Sequence, residues 1–325
     1  MAADPDPANV LDSIQREIQT VFTKCQSAVV RIEAVDNRGP LSGSGFFIDP
    51  NGTLYTSYTV GGESHDIQVT FNGERYPAQR LVSDLRSGIA ILKIDAETPF
   101  LPFGDSQSLQ VATPLIAVGY PMDLPLTPAF GTLGGFDLKY QGRYFATTHL
   151  RANISVQRGE GGAPLLNCKG NVVGILISRV DSGTASFALP IEAAEKIRKD
   201  FVRFHEVRPG WLGLHVKTLE QAVSGSTALV EEVIPDAPAE KAGVKAGDVL
   251  IQIGKRTITS PEDVLNASFF LTAEDETVLR ISRDGSERDL TVTPTDHPEP
   301  ERPHLAPLGD NSTLPLPQGL KVGGQ

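Results

Sequence analysis

The stretch Gly45-Phe46-Phe47-Ile48-Asp49-Pro50-Asn51-Gly52 is a short apolar run closed by a turn signal. Pro presets φ for a turn, and Asn-Gly supplies residues that tolerate a left-handed backbone. The same arrangement recurs along the chain. Ala28–Ala34, Ile67–Phe71, Ile89–Ile94, Leu115–Val118 and Val172–Ile177 are further β-rich runs, with turns at Asn72-Gly73 and Lys169-Gly170-Asn171. Many short strands at such spacing predict a β-sandwich or barrel. With 31 Gly and 24 Pro scattered between the runs, the 325-residue chain reads as turn-rich and mainly β.

Helical spacing is confined to a few places. Val10, Leu11, Ile14, Ile18, Val21 and Phe22 mark a helix over 9–24. A second helix is expected from Ile191 to Phe204, closed by Arg208-Pro209-Gly210, and a third over Pro261–Leu271. The length predicts two cores rather than one. The organisation is therefore an N-terminal helical segment (1–25), a β domain with a C-terminal linker helix (26–207), a smaller unit of strands and a helix (208–295), and a Pro-rich, disordered tail (296–325).

The net charge of −11 and the absence of Lys/Arg clusters argue against nucleic acid as a partner. No apolar run is long enough to span a bilayer. No paired-His, Cys-x-x-Cys or His-Glu-x-x-His spacing points to a metal, and no cofactor is implied. Cys25 and Cys168 allow one bridge, but two separate buried thiols are the simpler reading. The opening Met-Ala-Ala-Asp-Pro-Asp-Pro has neither a basic n-region nor an apolar h-region.

Four ordered segments resemble the HtrA/Deg branch of the chymotrypsin-like serine proteases. Ser42-Gly43-Ser44-Gly45-Phe46 with Asp49-Pro50-Asn51-Gly52 is similar to that family's SGSGF strand and turn. Thr56-Ser57-Tyr58-Thr59-Val60 stands where the family has T-N-N-H-V, and Asp84–Lys93 where it has D-P-x-T-D-L-A-V-L-K. Arg158-Gly159-Glu160-Gly161-Gly162-Ala163-Pro164-Leu165 resembles P-G-N-S-G-G-P-L, and Phe187–Ile191 resembles F-A-I-P-I. The resemblance implies a chymotrypsin-like double β-barrel followed by a PDZ domain, and an exported, periplasmic or secreted protein whose leader has been removed.

At the three catalytic positions the resemblance fails: Thr59 replaces His, Gly88 replaces Asp and Gly161 replaces Ser. Glycine offers no nucleophile, and threonine is no base near neutral pH. The expectation is a triad-less pseudoprotease that acts as a peptide-binding scaffold or adaptor. The alternative is an active or regulatory HtrA-type endopeptidase subunit in protein quality control. His65, His149, Ser57 and Ser155 are the only nearby substitutes, and each has a plainer reading as a loop histidine or strand hydroxyl. Glu160, beside Gly159 on the former oxyanion loop, either sets a negative charge near the hole or is a solvated loop carboxylate. Because triad residues serve chemistry, Gly161→Ser is expected to change stability little.

Trp211-Leu212-Gly213-Leu214 resembles the carboxylate-binding segment of an HtrA-type PDZ domain. Val233–Ala239 and Ala242–Leu250 resemble its V-x-P-x-S-P-A and A-G-L-x-x-G-D-x-I runs. Such a domain binds protein C-termini or unfolded segments by strand addition. Leu212, Leu214 and Val264 or Leu265 would then form the pocket for the last side chain. The plainer reading is that Trp211 and Leu214 only pack the domain interface. The resemblance also implies a homotrimer, or a mixed oligomer with active homologues.

Overall fold

The computed structural model describes residues 7–180 and 183–297; the tail expected from 296 lies beyond them but for its first two residues. Helix α1 (Pro7–Cys25) leads into β1 (Val29–Asp36), β2 (Gly39–Phe47) and β3 (Thr53–Ser57). The one-turn helix α2 (Tyr58–Gly61), β4 (His65–Phe71), β5 (Glu74–Pro77), β6 (Gln79–Asp84) and β7 (Ile89–Lys93) follow. These strands form one antiparallel sheet in the order β5-β4-β1-β2-β3-β7-β6.

The apolar runs are continuous because both faces of this sheet are covered. Side chains alternate across a strand. Phe47, Leu54 and Leu92 fill the interior of the first sheet, while their neighbours Phe46, Tyr55 and Ile91 face the second half of the domain. The turns carry local causes. Asp49 Oδ1 accepts the Asn51 and Thr53 N–H groups at 2.8 and 3.2 Å. Gly52 has φ +87°, and a Cβ there would stand 2.4 Å from the Ile94 carbonyl oxygen. Asn72 and Gly73 both have positive φ, which suits the two-residue hairpin joining β4 to β5.

The second half is a closed barrel of β8 (Pro114–Gly119), β9 (Thr127–Tyr140), β10 (Arg143–Ala152), β11 (Pro164–Leu166), β12 (Val172–Arg179) and β13 (Ser186–Pro190). Leu115, Leu133, Leu150, Leu165 and Leu176 fill it. Helix α3 (Ile191–Phe204) spans the expected residues and buries Ile191, Ala194 and Ile197 in the shared core, beside Val21 and Cys25 of α1. Both cysteines are free thiols.

The third unit contains β14 (Leu214–Val223), β15 (Ser226–Val233), α4 (Pro238–Lys241), β16 (Val249–Ile253), β17 (Arg256–Thr257), α5 (Pro261–Phe269), β18 (Thr277–Arg283) and β19 (Ser286–Val292). The sheet order is β14-β15-β16-β18-β19, which leaves β14 on an edge. Helix α5 starts in a capping box: Asp263 N–H donates to Ser260 Oγ, and Ser260 N–H to Asp263 Oδ2. It ends at Phe269, two residues short of the expected Leu271, where the chain tightens into i→i−3 bonds at Phe270 and Leu271. The whole is mainly β: a chymotrypsin-like domain, whose first half is one seven-stranded sheet and whose second half is a closed six-stranded barrel, followed by a PDZ domain. The two are tied where Asn266 Oδ1 of α5 accepts the Thr147 hydroxyl (2.6 Å) and the Thr148 N–H (3.0 Å) of β10. Asp200 of α3 similarly accepts the Thr272 hydroxyl at 3.0 Å and the Arg208 N–H at 3.2 Å.

Candidate functional site

Thr59 and Gly161 lie far apart in sequence and come together, and Gly88 is held against the start of the turn that carries Thr59. Thr59 is the exposed residue of the otherwise buried turn α2. Its Oγ1 lies 3.6 Å from where a Cβ on Gly161 would be. The Gly88 carbonyl accepts the Tyr58 N–H at 2.7 Å, which holds the turn before β7 against the start of α2. Gly88 itself has φ +78°, a backbone that side chains other than glycine adopt at a cost.

The loop around Gly161 is built tightly. Ser44 N–H donates to the Gly161 carbonyl (2.9 Å), and the Ser44 hydroxyl donates to the Gly159 carbonyl (2.8 Å) while accepting the Tyr120 N–H (3.0 Å). Ser44 thus clamps the loop, a role the sequence motif contains but does not announce. Gly159 (φ +94°) approaches the Tyr120 carbonyl so closely that a Cβ would stand 2.3 Å from its oxygen. Ser57 is fully buried and shares a 2.8 Å hydrogen bond with Thr59 Oγ1.

The reading of Glu160 as a solvated loop carboxylate is overturned. It is buried, and its Oε2 accepts the Gln157 N–H at 2.6 Å, closing its own loop. Burial raises its pKa, and the backbone hydrogen bond opposes that rise. The other candidate groups do not reach the cleft as a base. His149 is buried in the second barrel, stacked on Phe145 at 4.3 Å, with Nδ1 2.7 Å from the Thr147 carbonyl oxygen. Burial lowers its pKa to about 4. His65 is exposed beside Asp66, and the Ser155 hydroxyl donates to the Gly183 carbonyl. Among the described residues no cluster of three His, Cys, Asp or Glu side chains could hold a metal, and no helix is long and apolar enough to cross a membrane.

The second site is the edge of β14 beside α5. Trp211 exchanges backbone hydrogen bonds with Thr295 (2.7 and 3.1 Å), and its ring meets His297 edge-on at 5.5 Å. Leu212 is buried in the domain core, and its carbonyl accepts the Ala239 N–H, so its side chain packs the unit from within. Gly213 has φ +75°, and a Cβ there would stand 2.2 Å from the Ala237 side chain. Leu214 is half-buried against the same core. Of the two α5 candidates, Val264 faces that core, while Leu265 is 40% exposed. Period 3.6 turns adjacent residues about 100° apart, so only one of them can face the sheet. The edge of β14 offers the main-chain groups that strand addition uses.

Comparison with known proteins agrees with this architecture. The family described as "Trypsin-like peptidase domain" matches residues 43–175, and "PDZ domain" matches 210–293. A "Probable periplasmic serine endoprotease DegP-like" of Halomonas elongata is 29% identical over 293 residues, covering 86% of this chain and 61% of the relative. "Serine protease HTRA1" of Xenopus tropicalis is 32% identical over 283 residues, covering 78% and 60%. The chain therefore spans about three fifths of these relatives' length. The solved structure "HtrA-type protease AlgW with tripeptide" shares the fold with a TM-score of 0.73, at 23% identity over 88% of this chain and 99% of that one. The chain therefore carries a trypsin-like peptidase domain followed by a PDZ domain, and it has HtrA and DegP homologues along most of its length.

Proposed function

We propose that this protein is an exported, triad-less HtrA homologue that binds polypeptide without cleaving it. The observation that carries the reading is the cleft itself: Thr59 Oγ1 stands 3.6 Å from the position of a Cβ on Gly161, and no nucleophile or base comes with them. Acyl transfer needs an attacking group, a proton acceptor and an orienting partner acting as a unit. Here the acceptor position carries a hydroxyl that is hydrogen-bonded to Ser57, and the orienting position carries a positive-φ glycine. The buried Ser57 hydroxyl lies beside them, and its partner is Thr59 rather than an imidazole. Binding falls to the β14 edge, where Gly213 and half-buried Leu214 face an incoming C-terminus and Val264 backs the groove. The periplasmic naming of several relatives supports placement in the cell envelope.

The test is incubation with unfolded casein and with a fluorophosphonate probe. The expected result is no cleavage above buffer and no covalent labelling. Cleavage that persists through further purification, together with labelling abolished by Ser57→Ala, overturns the reading.

A further inference from the structure

A cavity of about 180 Å³ lies between the second barrel and the third unit, away from both sites above. Its apolar walls are Phe136, Leu150, Pro190 and Phe270. Phe136, 44% exposed, and exposed Gln107 stand at its mouth. Across it lies Arg256, whose guanidinium carbon sits 3.4 Å from the centroid of the Phe270 ring. This contact holds the guanidinium over the ring face, which takes no N–H donor in the way a carboxylate would.

The polar inventory of the cavity is unbalanced toward donors. Among the described residues Arg256 makes no ion pair, and no carboxylate or carbonyl is hydrogen-bonded to its side chain. Glu192, the one carboxylate lining the cavity, is engaged by the Ser106 N–H at 2.7 Å and by the Ser106 hydroxyl. Asn266 uses its Oδ1 for Thr147 and Thr148, which leaves its amide N–H groups as donors. The half-buried guanidinium thus keeps its N–H groups open to an anion, with which a guanidinium makes its strongest hydrogen bonds. Burial accordingly pushes the Arg256 pKa below its ordinary value, with Glu192 opposing from a distance.

We propose that this cavity binds a small carboxylic acid, its carboxylate on Arg256 and the Asn266 amide and its short apolar stem against Phe136, Leu150 and Phe270. The head is an anion because the open polar groups are donors, and planar because a guanidinium edge pairs a carboxylate through two parallel bonds. The stem is short because the cavity measures only about 180 Å³. Such a ligand touches β9 and β10 of the barrel and β17 and α5 of the third unit together, so it bridges the two units. The site is independent of the β14 groove and of the empty catalytic positions, and its failure leaves the proposed function untouched.

The probe is hexanoate, with 1-hexanol and hexylammonium as matched stems bearing neutral and cationic heads. Isotope-labelled full chain is titrated while the Arg256 Nε–H and Asn266 amide signals are followed by NMR. Hexanoate should give saturable shifts with a Kd on the order of 1 mM, as suits about eight non-hydrogen atoms. The other two heads should bind at least about tenfold more weakly. Arg256→Gln should remove the response. Gln107→Trp, an exposed change at the mouth, should do the same in a chain whose remaining spectrum is unchanged, which covers the case where Arg256→Gln misfolds. Equal shifts with 1-hexanol, or hexanoate shifts that persist in either folded variant, overturn the proposal. So does the absence of saturable shifts with hexanoate, and so do shifts at these two residues induced only by a peptide's terminal carboxylate.

Discussion

The Ser57 hydroxyl stands 3.0 Å from the point where a side chain on Gly161 would begin, and it is already bonded at 2.8 Å to Thr59 Oγ1. A serine at 161 would therefore press on a fully buried neighbour, which must give by a few tenths of an ångström while already held to Thr59. The sequence alone suggests a neutral exchange; the contact makes it a cost. Gly161→Ser is expected to lower stability by about 1–3 kcal/mol, the usual range for overpacking. Ser57→Ala in the same chain should recover part of it, because the Ser57 Cβ lies at an ordinary 3.7 Å. Urea denaturation of the single and double variants measures both, and an unchanged midpoint in Gly161→Ser contradicts the argument.

Gly88 sets the second limit on rebuilding a triad. At φ +78° it holds a left-handed backbone, with its would-be Cβ 3.4 Å from Ile177. The space is adequate, so the cost is conformational, roughly 1–2 kcal/mol for an ordinary L-residue and less for Asp. Gly88→Ala should destabilise more than Gly88→Asp. The triple variant Thr59→His, Gly88→Asp, Gly161→Ser should fold with reduced stability and show at most weak turnover, since catalytic groups must be held within about 0.5 Å. Family-like rates in the triple variant would show that the surrounding residues still position a triad.

The β14 groove makes a prediction that separates Leu214, Val264 and Leu265. Leu214→Glu should abolish binding of peptides with an apolar last residue and a free carboxylate, with the domain still folded, because Leu214 is only half-buried. Leu265→Ala should change affinity by less than about threefold, while Val264→Ala should lower stability by about 1–2 kcal/mol as a core truncation. Fluorescence anisotropy with amidated and free-acid peptides reads the first two effects. Equal binding of amidated peptides removes the carboxylate from the model of recognition.

His149 gives the acid limb of stability a named source. Folded, it stays neutral down to a pKa of about 4; unfolded, it protonates near 6.5. The unfolded chain thus binds the extra proton between those values. The contribution of His149 is fully present above pH 6.5 and is lost as the pH falls toward 4, up to roughly 3 kcal/mol. Glu160 acts oppositely: its raised pKa favours the folded state as it protonates. Comparing wild type with His149→Phe from pH 7 to 4.5 isolates the first effect, and the variant should show the flatter profile. Parallel profiles would rule His149 out.

The strands, the turns and the chain positions of Thr59, Gly88 and Gly161 were legible in the sequence, because each depends on neighbours a few residues away. Asp49 reaches Asn51 and Thr53, and Asn72-Gly73 accepts its positive φ without help from the rest of the chain. That Thr59, Gly88 and Gly161 stand where the resemblance places a triad is likewise read along an ordered motif. What the sequence could not decide was burial and partnership. Glu160 reads equally well as solvated, and only the fold sets it against Gly119 and the Gln157 N–H. Ser44 was one letter of a motif until its hydroxyl met the carbonyl of Gly159, 115 residues away. Leu212 and Leu214 looked alike, and only the packing of the third unit sent one into the core and left the other half-open. Arg256 gave no signal at all, since its meaning comes from Phe270 beneath it and from a barrel strand more than a hundred residues earlier. Local geometry is written in short spans of chain, whereas desolvation and hydrogen-bond completion depend on which distant surfaces the fold brings over a residue.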